Sequence, residues 1–178
     1  MIKDTTKTIT DIDGVFGDAV ACGIKEKETD LSLLYVPDAV ACAGVFTQHQ
    51  FPASSVTHTK KALKRHILKS VIVNSGNANA ATGSQGEKNT KLMASLTAQK
   101  CGLSQSEVGV ASTGIIGVQL PIENIKSGIN DLMPSLDKKN GQAIERAILT
   151  TDLTQKSVFL STKIGKIMQN PDILRIFF

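Results

Sequence analysis

Residues 109–117 read GVASTGIIG, an apolar run of strand character that ends in small hydroxyl residues and a glycine. Thr113 offers a hydroxyl and Gly114 an unhindered backbone N–H. Two such donors can stabilise an oxygen that becomes negative during acyl transfer. The same residues also suit a strand running into an ordinary turn. A second candidate is VIVNSGNANAATG, residues 71–83, where a buried strand ends near Asn74 and small residues follow. Asn74, Asn77 and Asn79 could offer amide N–H groups to a substrate carbonyl or carboxylate. They could equally close the loop on itself through Asx-type bonds. The third candidate is AILTTD, residues 147–152, with two hydroxyls and a carboxylate closing an apolar segment. That layout suits the mouth of a site and also a helix N-cap.

Other chemistries find less support. His49, His58 and His66 have no cysteine or acidic partner at a ligand spacing, so no metal is expected. Neither GxGxxG nor GxxxxGK[ST] occurs, so no nucleotide motif is present. The basic run KKALKRHILK at 60–69 spreads its charges around a helix and interleaves no aromatic residue, so a solvated face is expected rather than a nucleic-acid surface. The net charge of +4 is compatible with anionic small substrates. Cys22, Cys42 and Cys101 are odd in number, widely spaced and free of any CxxC, which suits reduced thiols and a cytoplasmic location. No apolar run reaches the length of a membrane span, and MIKDTTKTITDID lacks the apolar stretch of a secretory leader.

The elements that must position the candidate residues follow from periodicity. The 178 residues suffice for one domain. Residues 31–36 and 41–47, separated by Pro37-Asp38, read as two strands joined by a turn. Residues 57–68 read as a helix, 70–74 as a short buried strand and 76–83 as a loop. Ser84 and Glu87 fit a capping box for a helix ending at Gly102. A strand is expected over 107–112 and a strongly periodic helix over 121–133, with Pro121 in its first turn. A helix over 140–148 and a strand over 157–161 complete the pattern. The sum is an α+β or layered mixed α/β fold rather than an alternating doubly wound sheet.

DIDGVFGDAVACGIK (11–25), CAGVFTQHQFPASSV (42–56) and the three candidate stretches resemble, in order and spacing, the ornithine acetyltransferases. These are the bifunctional glutamate N-acetyltransferase and amino-acid acetyltransferase proteins of arginine biosynthesis. The resemblance covers residues 8–161 and implies the N-terminal (α) part of that family's mixed α/β sandwich. By resemblance, a threonine attacks the acetyl group of N-acetylornithine, ornithine leaves, and glutamate takes the acetyl from acetyl-threonine. Acetyl-CoA is an alternative donor in some members, and no other cofactor is implied. Thr113 and Gly114 match the family's oxyanion pair. Thr150 or Thr151 matches its substrate-binding threonine, the spacing favouring Thr150.

The chain departs from the family in two places. Ala81 stands where a cysteine is frequent. More consequentially, the family's KGSGM–PNMATML run, whose autocatalytic cleavage frees the nucleophilic threonine, has no counterpart. The sole Ala-Thr pair is Ala81-Thr82 in the asparagine loop, and Lys163 and Lys166 lack the flanks of the family's substrate lysine. The nucleophile is therefore assigned to no residue here. Residues 1–161 read as an α segment and 162–178, ending in Phe177-Phe178, as a divergent or frameshifted tail. The expected partner is the family's C-terminal (β) segment, with an oligomer once complete; a catalytically dead fragment is the alternative.

Overall fold

The computed structural model describes residues 2–4, 6–64, 67–133, 137, 139–152, 154, 155, 157–161 and 172–174. In chain order its elements are β1 (Ile2–Asp4), β2 (Phe16–Val20), β3 (Leu31–Tyr35), α1 (Ser54–Leu63), β4 (Ser70–Asn77), α2 (Gly83–Cys101), β5 (Val108–Ile115), α3 (Ile122–Asp131), α4 (Gly141–Ala147), β6 (Phe159–Ser161) and β7 (Asp172–Leu174). Four strands form the main sheet in the order β2-β3-β4-β5. The first two pairings are antiparallel, and β4 and β5 are parallel. Parallel neighbours need a crossover, and α2 supplies it.

Register explains the layers. Leu33 pairs with Ile72, and Ile72 with Val110, so these side chains share one face. Met93, Ala94 and Ala98 of α2 and Ile125 and Ile129 of α3 close over that face as the hydrophobic core. The other face receives α4. Gly17 makes this possible, because a Cβ there would lie 2.6 Å from Cδ1 of Ile144. β5 would otherwise be an open edge. Helix α1 covers it with Thr59, whose hydroxyl accepts from the Val110 N–H at 2.8 Å and donates to the Val110 carbonyl at 2.7 Å. One side chain thus stands in for a neighbouring strand. A second small sheet joins β1, β6 and β7, all antiparallel. The Lys7 ammonium sits 4.7 Å above the buried Phe159 ring on β6.

Several expectations are corrected. Residues 41–47 form no strand, because both edges of β3 are already taken by β2 and β4. Val45, 99% exposed, has nothing among the described residues to pair with or pack on. The strand that does pair with β3 is Phe16–Val20, whose mixed FGDAV pattern hides it. The capping box at Ser84 does not form. Helix α2 begins at Gly83, Thr82 precedes it, and the Gly86 N–H donates to the Thr82 carbonyl at 3.3 Å. Reciprocal boxes occur instead at Thr8/Asp11 and Ser104/Glu107, each ahead of a 3-10 turn. The helix expected over 57–68 starts earlier and ends at Leu63, while Arg65 and His66 lie outside the described residues. Strands β4 and β5 each end three residues later than expected, because they continue to pair with one another. Gly102, at φ +67°, ends α2 as anticipated. The tail at 162–171 and 175–178, with Lys163, Lys166, Phe177 and Phe178, lies outside the described residues.

Candidate active site

The parallel pairing of β4 and β5 brings two of the three candidate stretches together. Asn74 lies beside Ser112, Ser75 beside Thr113, Gly76 beside Gly114, and Asn77 beside Ile115. The glycines permit this closeness. Gly114 has φ +127°, and a Cβ there would lie 2.3 Å from the Gly76 carbonyl carbon and 2.6 Å from the Asn77 nitrogen. Only glycine fits, for sterics and for dihedral angle.

The third stretch arrives through α4. Ser75 and Thr113, as register partners, point to the same sheet face. On that face the Ser75 hydroxyl donates to the carbonyl of Ala147, the last residue of α4. Gly76, at φ +97°, lies against the side chains of Ile24 and Lys25. The Lys25 ammonium then donates to the Leu149 carbonyl at 3.0 Å. AILTTD is thereby pinned to the strand positions beside Thr113 and Gly114, and Thr150 and Thr151 follow the second pin as exposed residues. Thr113 is half-buried and Gly114 exposed. Among the described residues nothing forms a hydrogen bond with the Thr113 hydroxyl. A hydroxyl and a backbone at a glycine therefore sit at a solvent-open corner, and the segment that carries the two exposed threonines is tied to the neighbouring strand positions at Ala147 and Leu149.

The asparagines behave differently from a ligand-binding row. The Asn74 amide donates to the Asn77 carbonyl at 2.8 Å, and the Asn77 amide to the Gln119 carbonyl at 3.2 Å. The Asn79 amide lies within bonding distance of Ser54 Oγ, the Gly86 carbonyl and Thr90 Oγ1, while its oxygen accepts from Thr82 at 2.8 Å. All three side chains are buried. They lock the loop that turns β4 into α2, so the loop-closing reading prevails. Asn79 and Ala81 both take positive φ, at 44° and 55°.

In DIDGVFGDAVACGIK no single residue stands out chemically from the sequence. Its organiser is Asp30, fully buried just beyond the stretch. The Asp30 carboxylate accepts from the backbone N–H groups of Cys22, Ile24 and Lys25 at 2.7, 2.6 and 2.9 Å. An acidic residue a few positions past a glycine turn was the available signal. Asp30→Ala leaves three backbone donors without their acceptor and is expected to cost about 2–3 kcal/mol of stability. Urea denaturation of the variant chain measures this, a midpoint equal to wild type being the contrary result.

Burial and, after it, the neighbouring Asp30 carboxylate push the Cys22 thiol up to about 12. The folded chain thus holds that proton more tightly than the unfolded chain. The associated stability is complete below the ordinary thiol range and is lost as pH rises from about 9 toward 12. Two outcomes are expected: iodoacetamide at pH 8 labels Cys22 far more slowly in the native than in the denatured chain, and Cys22→Ala flattens part of the alkaline decline in stability. Equal labelling rates in the two states would contradict this placement.

A model of the ArgJ family matches residues 17–173. The chain belongs to the ArgJ family. It is 38% identical over 162 residues to the arginine biosynthesis bifunctional protein ArgJ of Oceanobacillus iheyensis, a match covering 90% of this chain and 39% of that protein. It is 40% identical over 155 residues to ArgJ of Listeria monocytogenes serovar 1/2a, covering 85% of this chain and 38% of the relative. The chain therefore spans about two fifths of the length of these curated relatives. Among solved structures, ArgJ from Bacillus halodurans superimposes with a TM-score of 0.84 at 26% identity, covering 97% of both chains. Ornithine acetyltransferase from Mycobacterium tuberculosis, crystallised with ornithine, superimposes with a TM-score of 0.82 at 30% identity, covering 97% of this chain and 99% of that one. The mixed α/β fold is thus that of ArgJ proteins, and the family is the arginine-biosynthesis family that the motifs resembled. No helix among the described residues is long and apolar enough to cross a membrane.

Proposed function

We propose that this chain supplies the oxyanion-stabilising and substrate-binding part of an acetyltransferase that moves acetyl from N-acetylornithine to glutamate. The nucleophilic threonine comes from the portion of ArgJ proteins that this chain does not span. The observation that carries this reading is the β4–β5 register, with Thr113 and Gly114 beside strand positions that also hold AILTTD.

The chemistry follows from that corner. Attack of a hydroxyl oxygen on the acetyl carbonyl forms a C–O bond and moves the π electrons onto the carbonyl oxygen. The Thr113 hydroxyl and the backbone N–H at Gly114 stabilise that charge in place of water. Collapse breaks the C–N bond, and the ornithine amine leaves with a proton, yielding an acetyl ester. The glutamate amine then attacks the ester through the same oxyanion and restores the free hydroxyl. Thr150 or Thr151 holds the polar end of the substrate. Acetyl-CoA is an alternative donor, and no other cofactor is proposed. The site is placed in the cytoplasm, in an oligomer once both segments are present.

Two observations support a missing companion. Ile115, Ile116 and Val118 lie within four residues after Gly114 and are 65%, 67% and 52% exposed, so among the described residues apolar surface borders the corner without cover. The solved neighbours are also separate chains of nearly this length, since the match covers 97% and 99% of them. Mixing this chain with the C-terminal segment of an ArgJ relative and assaying acetyl transfer tests the reading. Activity only in the mixture is the expected outcome, and a stable but inert complex is the outcome of a dead fragment.

A further inference from the structure

We propose that Lys25 is a positioning residue for the substrate-binding segment, holding the Leu149 carbonyl so that Thr150 and Thr151 are presented at the Thr113 corner. This deepens the proposed function and rests on it for the role of the threonines. The placement of Lys25 itself rests on geometry alone.

Lys25 is a poor fit to an ordinary surface lysine. Its side chain is only 14% exposed, and its stem runs along Gly76, where a Cβ would lie 3.0 Å from Lys25 Cγ. Gly76 is the register partner of Gly114. The stem therefore passes the oxyanion corner before the ammonium reaches the Leu149 carbonyl at 3.0 Å. That carbonyl lies just past the end of α4, where carbonyls have no partner within the helix and a side-chain donor is in demand. The contact to Glu28, at 3.5 Å, contributes little because Glu28 is 70% exposed. The backbone beneath Lys25 is fixed by Asp30, which accepts from the N–H groups of Cys22, Ile24 and Lys25. Asp30 in turn is tied to the central strand, its own carbonyl accepting from the Ser75 N–H at 2.8 Å. A continuous path thus runs from β4 through Asp30 and Lys25 to Leu149 and the two threonines. The Ser75 hydroxyl forms a second anchor at Ala147, two residues before Leu149. Loss of the Lys25 anchor loosens the hold on the chain at Leu149, just ahead of the two threonines.

The test uses Lys25→Met, which keeps the apolar stem, and Lys25→Arg, which keeps a donor. In the chain itself, amide exchange of Ile148 and Leu149, the last bonded positions after α4, is expected to rise about tenfold in Lys25→Met. Exchange over 71–75 should stay unchanged in both variants, showing that the sheet is intact. In the complex with the C-terminal segment of an ArgJ relative, Lys25→Met should raise KM for N-acetylornithine about tenfold with kcat held within about twofold, and Lys25→Arg should recover most of that loss. Unchanged exchange at 148 and 149, or altered exchange with an unaltered KM, would overturn the proposal. An inactive wild-type complex would instead sink the proposed function, leaving the exchange result to decide whether Lys25 anchors Leu149.

Discussion

In a complex of this chain with the C-terminal segment of an ArgJ relative, Thr113→Ala lowers kcat by about 10²–10³-fold and changes KM for N-acetylornithine far less. The magnitude is that of removing one side-chain donor from an oxyanion site, about 3–4 kcal/mol of transition-state stabilisation. The split between constants follows from the proposed role: an oxyanion donor meets full negative charge in the tetrahedral intermediate and only a neutral carbonyl in the ground state. The substitution should leave the fold alone. Thr113 is half-buried, and its hydroxyl has no hydrogen-bond partner among the described residues. Its removal is therefore expected to change stability by less than about 1 kcal/mol. Thr113→Ser keeps the donor and should retain most activity. Steady-state kinetics of the two variants beside a urea denaturation curve supply the check. A kcat equal to wild type in Thr113→Ala removes this residue from the oxyanion role.

Gly114→Ala acts on the fold first. The added methyl would lie 2.3 Å from the carbonyl carbon of Gly76, backbone that cannot rotate out of the way. Relief requires β4 and β5 to separate at the register that builds the corner. The φ of +127° adds strain for any residue with a Cβ. Overpacking and dihedral strain together are expected to cost about 3–5 kcal/mol, a large share of a domain's net stability. Gly117→Ala is the matched control. Gly117 also has positive φ, at 84°, but nothing lies within 4 Å of its added Cβ. Only the dihedral strain remains, and the expected loss is about 1 kcal/mol. The urea midpoint should fall steeply in the first variant and slightly in the second. Equal midpoints would mean that Gly76 and Gly114 do not face each other as described.

The sequence was most legible where local chemistry and tertiary structure agree. Ile125 and Ile129 recur at helical spacing and point into the core, so α3 could be read directly, and Gly102 ended α2 through the left-handed turn that glycine favours. Legibility failed where a partner strand decides the outcome. Residues 41–47 have strand composition but no free edge to join, whereas FGDAV at 16–20 has weak strand character and is recruited by β3. The capping box at Ser84 failed for a related reason: the buried network of Asn79 and Thr82 sets the N-cap at Thr82, two residues earlier.

The candidate site divides the same way. Thr113, Gly114, Thr150 and Thr151 stood out by residue type and by family resemblance. The approach of the AILTTD segment to strands β4 and β5 could not be read from spacing, because it depends on the parallel β4–β5 pairing and on Ser75 and Lys25 reaching across the chain. Lys25 contacts a carbonyl that is 124 positions away in sequence, a relation no local pattern encodes. The asparagines drew attention for their composition, and in the fold their buried side-chain amides donate to groups within and around the loop.

The most direct measurement is acetyl transfer from N-acetylornithine to glutamate by this chain, by the C-terminal segment of an ArgJ relative, and by the two combined after co-purification. A corner that stabilises an oxyanion but borrows its nucleophile gives turnover in the combined sample and none in either part. Turnover by this chain alone at the rate of the combination, or none from a correctly assembled complex, would contradict it.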